Sequence, residues 1–233
     1  DGHQRRVRGD MPRKRQGAWW FTGIRTGNGG IRKRGGASLT LSGGNSFTGG
    51  LAIDEGAVVA TAAAALGRDE VAIAAGAGLE LAFAGPGTDT VANRISGQGS
   101  LTKKGAGTAR LTGAGSSAGA VTVEEGTLFL DQDGAFSAAG YTTESNAATI
   151  IGERASLAVT GTFTQQADSA LGIMIGSSTA PSITAADATI GGSLSITGFD
   201  SALPASVLTA RRHTVLQTRS GISGDFAPVD FGG

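Results

Sequence analysis

The feature that most constrains this chain is an internal repeat. Residues 97–130, GQGSLTKKGAGTARLTGAGSSAGAVTVEEGTLFL, realign without a gap on residues 27–60, GNGGIRKRGGASLTLSGGNSFTGGLAIDEGAVVA, after a shift of 70 positions. Gly27/Gly97, Gly29/Gly99, Lys33/Lys103, Gly35/Gly105, Leu41/Leu111, Gly43/Gly113, Ser46/Ser116, Gly49/Gly119, Glu55/Glu125 and Gly56/Gly126 are identical, and Ile31/Leu101, Leu51/Val121, Ile53/Val123 and Val58/Leu128 stay apolar. Self-similarity at a fixed period is the mark of stacked repeats. Inside each copy, short apolar-alternating runs such as Ser38-Leu39-Thr40-Leu41 are broken by residues that tolerate positive φ, here Gly43-Gly44-Asn45. Strands this short do not offset their own ordering entropy, so they must stack in register on neighbours. The expected fold is all-β, a parallel β-helix (β-solenoid). If 70 residues make three coils, a coil takes roughly 23 and the chain makes roughly 8–10, a rod of roughly 40–50 Å.

Composition agrees. Gly accounts for 40 of 233 residues against 5 Pro, which favours many tight turns between ordered strands over collagen or a Pro-rich linker. The apolar residues are mostly Ala, Val, Ile and Leu, fillers for a thin interior. Ala62 to Ala65 reads as a turn or short helical bulge between strands. Cysteine is absent, which suits a chain that crosses an oxidising space unfolded. The longest apolar run, Ala57 to Leu66, is too short to span a bilayer. With no start Met and no signal peptide, a mature or excised fragment is expected, its targeting signal outside it.

Charge is uneven. Residues 1–34 carry 10 Lys/Arg against Asp1 and Asp10, and the remainder carries the compensating acidic excess. Such an arm suits either binding to nucleic acid or a membrane, or a solvated lead. We read residues 1–16 as a basic, poorly ordered lead and expect no nucleic acid as partner. Arg8-Gly9-Asp10 has the form of an integrin-binding tripeptide, but three residues in a basic stretch are weak evidence for it. Trp19-Trp20-Phe21 either caps the open end of the stack or contacts a ligand; terminal repeats need an atypical cover, which favours the cap.

Sites of chemistry are weakly indicated. Gly115-Ser116-Ser117-Ala118-Gly119 matches the G-x-S-x-G elbow, yet it aligns with a repeat turn and is followed by a strand rather than a helix. His3 and His213 lack a Ser/Asp partner, and two histidines without cysteine do not make a zinc site. Asp131-Gln132-Asp133-Gly134 opens like a calcium loop without its later ligands. No catalytic, cofactor-binding or metal residues are assigned, no cofactor is implied, and the chain is read as not an enzyme. Lys33 and Lys103 recur at one repeat position. They read either as a basic line for acidic glycans or, preferably, as outward residues keeping a strand face soluble.

The residues Gly97 to Thr108, Leu111-Thr112-Gly113 and Val123-Glu124-Glu125-Gly126-Thr127-Leu128 together resemble the autotransporter-associated β-strand repeat of bacterial passenger domains. In the first copy Gly36-Ala37 departs from the usual Gly-x-Gly order. Gly161 to Gln165, Ile190 to Ile196, and His213 to Leu216 with Gly221 to Phe226 resemble the end of such a passenger. The resemblance covers about residues 17–231. It implies a right-handed parallel β-helix on the surface of a Gram-negative cell, attached to the outer membrane. It also implies a C-terminal outer-membrane β-barrel of the same precursor as partner, and an autochaperone end that nucleates folding during secretion. The organisation expected is a lead (1–16), a β-helix with two repeats at 27–60 and 97–130 (17–140), and a C-terminal autochaperone-like region (141–233). Three functions follow: a membrane-proximal stem, an adhesin for host matrix proteins or glycans, or the non-catalytic part of a surface protease or esterase.

Overall fold

The computed structural model describes residues 19–21, 26–175, 183–197 and 214–227, with the side chains of Trp19–Phe21 outside that description. His3, His213, Arg8-Gly9-Asp10 and the basic lead lie outside the described residues.

The chain winds into a β-solenoid of about eight turns, built from parallel sheets. Three short segments make one turn and occupy three faces. The first face begins as a four-stranded sheet of Ile31–Lys33, Leu51–Ile53, Val71–Ile73 and Ile95–Gly97. The second is the longest: Trp19–Phe21, Ser38–Leu41, Ala57–Ala60, Gly78–Ala82, Ser100–Lys104 and Ser117–Val123 stack in that order. The third holds Thr88–Val91, Thr108–Leu111, Gly126–Leu130, Ala147–Ile151, Ala170–Met174 and Ser193–Thr197. The Ala-rich run forms a 3-10 helix at Ala63–Leu66, its Ala65 and Leu66 buried. Farther along, first and second faces merge because strands bend through the corner. Gly134–Thr143 pairs with both Ala155–Val159 and Thr162–Gln165, and Ile183–Thr189 and Leu216–Ser223 continue the stack.

Register pins the core. Leu39, Val58, Leu79, Leu101, Val121, Tyr141 and Phe163 are successive partners on the second face, 19 to 22 residues apart and all buried. Alternation fixes this: in a strand, residues two apart share a face, so each strand gives two inward residues to the axis. At about 4.8 Å per turn, eight turns make a rod of roughly 40 Å. The later partners Ala188 and Ile222 follow after 25 and 34 residues. The strand Trp19–Phe21 lies in register on Leu39–Leu41, so this aromatic segment forms the first rung of its face among the described residues.

The expected three coils per repeat needs correction. Ile31, Leu51, Val71 and Ile95 are successive register partners, and Leu101 already belongs to the next face. Seventy residues therefore cover three turns and one face more. Each repeat position consequently moves to a different sheet. Ile31–Lys33 is on the first face but residues 101–103 are on the second; Ser38–Leu41 is on the second but Thr108–Leu111 is on the third. Leu51–Ile53 and Ala57–Ala60 shift in the same sense relative to residues 121–123 and 127–130.

Candidate functional site: a corner built twice

The two copies share one constellation. Lys33 ends its strand at the same parity as Ile31, and Lys103 at the same parity as Leu101, so both side chains point into the rod. Lys33 is 5% exposed and Lys103 is 0% exposed. This overturns both expectations for them: neither is an outward solubilising residue, and neither is free to join a basic line for glycans.

Buried ammonium groups need acceptors, and both have three. Lys103 Nζ donates to the carbonyls of Lys104 (2.8 Å), Gly105 (2.5 Å) and Glu125 (3.1 Å). Lys33 Nζ donates to those of Arg34 (3.4 Å), Gly35 (2.5 Å) and Glu55 (2.9 Å). Two acceptors lie in the lysine's own corner and the third lies in the corner of the following turn. The carboxylate returns the bond: Gly105 N–H donates to Glu125 Oε2 (2.9 Å), and Gly35 N–H to Glu55 Oε2 (2.8 Å).

Glycine closes the corner. Gly56 and Gly126 follow the glutamates with φ of +67° and +68°, a conformation that costs an L side chain about 1–2 kcal/mol. A Cβ on Gly126 would also run into the carbonyls of Gly105 and Gly107, and one on Gly56 into those of Gly35 and Ala37. The signature Lys-x-Gly followed at a distance by Glu-Gly thus encodes a reciprocal bracket between two adjacent turns. It lies between the first and second faces in copy one and between the second and third in copy two.

Burial pushes the Lys103 ammonium down to about 8, with the Glu125 charge opposing; Lys33 is lowered for the same reason, with Glu55 opposing. Three carbonyls demand three donors, which only the protonated amine supplies. Both ammonium groups are thus saturated by backbone.

Outside, opposite charges pair between successive turns. Arg32 and Arg34 share Asp54 (2.6 and 3.1 Å), and Arg94 meets Glu70 (3.1 Å). Lys104 bridges Glu80 and Glu124 (3.1 and 3.5 Å). The hydrogen bond from Arg32 holds the Asp54 carboxyl below its ordinary value, and Glu80 raises Lys104.

The remaining motifs are structural in place. Ser117 opens the strand Ser117–Val123, while Ser116 is buried, donating to the Gly113 carbonyl (2.6 Å) and accepting from Ile95 N–H (3.1 Å). The Asp131–Gly134 segment is a turn in which Asp131 pairs with Arg110 and Asp133 with Arg154. Among the described residues, no three side chains of His, Asp or Glu gather as metal ligands. Sequence reasoning missed the bracket and also an interior polar group, Tyr141–Thr149–Thr143, linked by hydroxyl hydrogen bonds of 3.0 and 2.8 Å. Burial raises the Tyr141 phenol.

A parallel β-solenoid whose recurring constellation binds backbone to backbone fits a structural, non-catalytic module. The family model of the passenger-associated-transport-repeat matches it twice, at residues 31–60 and 101–128. No curated protein and no solved structure matches the chain. Two matches to this repeat on a β-solenoid are consistent with the repeat region of an autotransporter passenger, a family that implies a secreted, cell-surface location.

Proposed function

We propose that this rod is the membrane-proximal stem of the passenger, a presentation module whose C-terminal turns nucleate folding during secretion. The observation that carries this reading is the C-terminal rung among the described residues. Ile196 and Ile222 hold inward register positions, stacked on Ile173 and Ala188, yet are 38% and 49% exposed. Leu194, Val215, Leu216 and Phe226 are only partly buried beside them. Bare apolar side chains on the side away from the rod are a surface on which a segment C-terminal to these rungs gains burial at once, which suits a membrane-proximal position. The nucleation role rests on the likeness of the C-terminal segments to the end of a passenger: once these turns are formed, each preceding turn stacks on their rod-facing edge as it emerges, which draws the chain outward, and the partner is an outer-membrane β-barrel of the same precursor.

Deleting residues 214–233 tests it. Refolding from urea, followed by far-UV circular dichroism, should slow by about tenfold or more if the nucleus is lost. An unchanged refolding rate and yield would overturn the nucleation role.

A further inference from the structure

Apolar alternation leaves one ambiguity in a parallel stack. A slip of one residue turns every inward side chain outward, but a slip of two puts apolar residues back on apolar residues. Leu39-x-Leu41, Leu51-x-Ile53, Leu79-x-Leu81 and Val121-x-Val123 are all inward pairs of this kind. Their hydrophobic burial barely distinguishes the native register from one displaced by two. Gly-rich corners have the conformational freedom to absorb the difference.

The bracket is not degenerate in this way. We propose that the Lys33–Glu55 and Lys103–Glu125 corners are register selectors, whose task is to reject two-residue slips as neighbouring turns stack. In a slipped pair the ammonium keeps its burial but loses the carbonyl of the following turn, and the Gly N–H loses its carboxylate. The glycine after the glutamate no longer sits where its missing side chain is needed. A saturated buried charge becomes an unsatisfied one, which is among the costlier errors a core can contain. Two observations support selection rather than simple adhesion between turns. The geometry is reproduced in both copies, although they lie on different corners, so it travels with the sequence and not with a face. In each copy the bracket reaches across turns in both directions, so satisfying both halves fixes the offset.

Disulfide trapping tests this, and the absence of cysteine gives a clean background. Thr102 and Thr122 are register partners on the outward side, so Thr102→Cys with Thr122→Cys reports the native offset. Thr102→Cys with Glu124→Cys, or with Ala120→Cys, reports a slip of two. In the native register those residues stand about 8 Å apart, beyond disulfide reach. With Lys103 present, the native pair should cross-link and the slipped pairs should not. With Lys103→Met, the yield of one slipped pair should rise about tenfold, the shift that one lost charged hydrogen bond produces. Lys33→Met repeats the test independently, with Arg32→Cys paired to Ala52→Cys for the native offset and to Asp54→Cys for the slip. Folded Lys→Met chains whose slipped yields stay at the background level would overturn the proposal. So would loss of the fold in both variants, because the bracket would then be a main stabiliser and not a selector.

Discussion

One inward column passes through both halves of the rod and treats polar residues in two ways. Lys103, Val123, Thr143 and Gln165 are successive register partners. In the repeat half, Lys103 carries a full charge and has every donor engaged by backbone. In the C-terminal half, Gln165 is 1% exposed and uncharged, yet neither of its amide atoms has a hydrogen-bond partner. What separates the two is a corner. The repeat builds one around its lysine, from Gly105 and Glu125, whereas among the described residues no hydrogen-bond partner meets the Gln165 amide. Along this column the repeat half ties one turn to the next with a buried charge, whereas the C-terminal half places apolar stacking such as the Tyr141–Phe163 ring pair, centroids 5.8 Å apart, in its interior and keeps side-chain bonds between turns, such as Thr162 to Asp187, on the outside.

The largest effect that would break this comparison is at the glycine of the bracket. Gly126→Val combines a left-handed φ with a collision against two carbonyls, and should cost about 3–5 kcal/mol by urea unfolding. Gly134→Ala also meets a positive φ, +90°, but has open space around it, and should cost only about 1–2 kcal/mol. Equal losses would mean the corner is no tighter than an ordinary turn.

Next come the two polar residues themselves. Lys103→Met takes a donor from three carbonyls, of which that of Lys104 still accepts from Phe83 N–H, and also removes a buried charge, so the net loss should be about 1–2 kcal/mol. Gln165→Leu removes two orphaned groups and should be neutral or stabilising by up to about 1 kcal/mol. If both changes moved the urea midpoint in the same direction, the distinction between satisfied and unsatisfied interiors would be lost.

The smallest effect is a pH slope. In the folded rod Lys103 loses its proton near 8, while in the unfolded chain it does so near its ordinary value of about 10.4. Between those values the unfolded state binds more protons, so this group makes stability rise with pH, by at most about 1.4 kcal/mol per unit. Lys33 acts in the same sense. Tyr141, raised by burial, acts oppositely above about pH 10, so the useful window is pH 8 to about 9.5. Lys103→Met should flatten the slope within it.

Much of this was legible in residues alone. The gapless 70-residue repeat with its glycine spacing specified a parallel β-solenoid, and the structure has one. The coil count per repeat was misjudged because the three faces are chemically alike. A copy displaced by one face meets the same demands for two inward residues and a turn, so the sequence carries no label for face. The strand Gly134–Thr143 carries little signal in its residues because Gly, Ala and Ser dominate it; pairing with Ser117–Val123 imposes extension there. The orientation of the lysines was readable and was misread. In Leu101-Thr102-Lys103, parity alone places Lys103 beside Leu101, and a Glu-Gly recurring at the same distance in both copies was the second signal. Charge alone argues for an outward side chain, and in this strand the period outweighs it.

Whether the repeat lysine is an interior bracket is read from the 15N resonance of the Lys103 side chain. A saturated buried ammonium should give a slowly exchanging Nζ signal at pH 7, titrate near 8, and resist acylation in the folded rod. A rapidly exchanging amine that titrates near about 10.4 and reacts as readily as exposed lysines would contradict it.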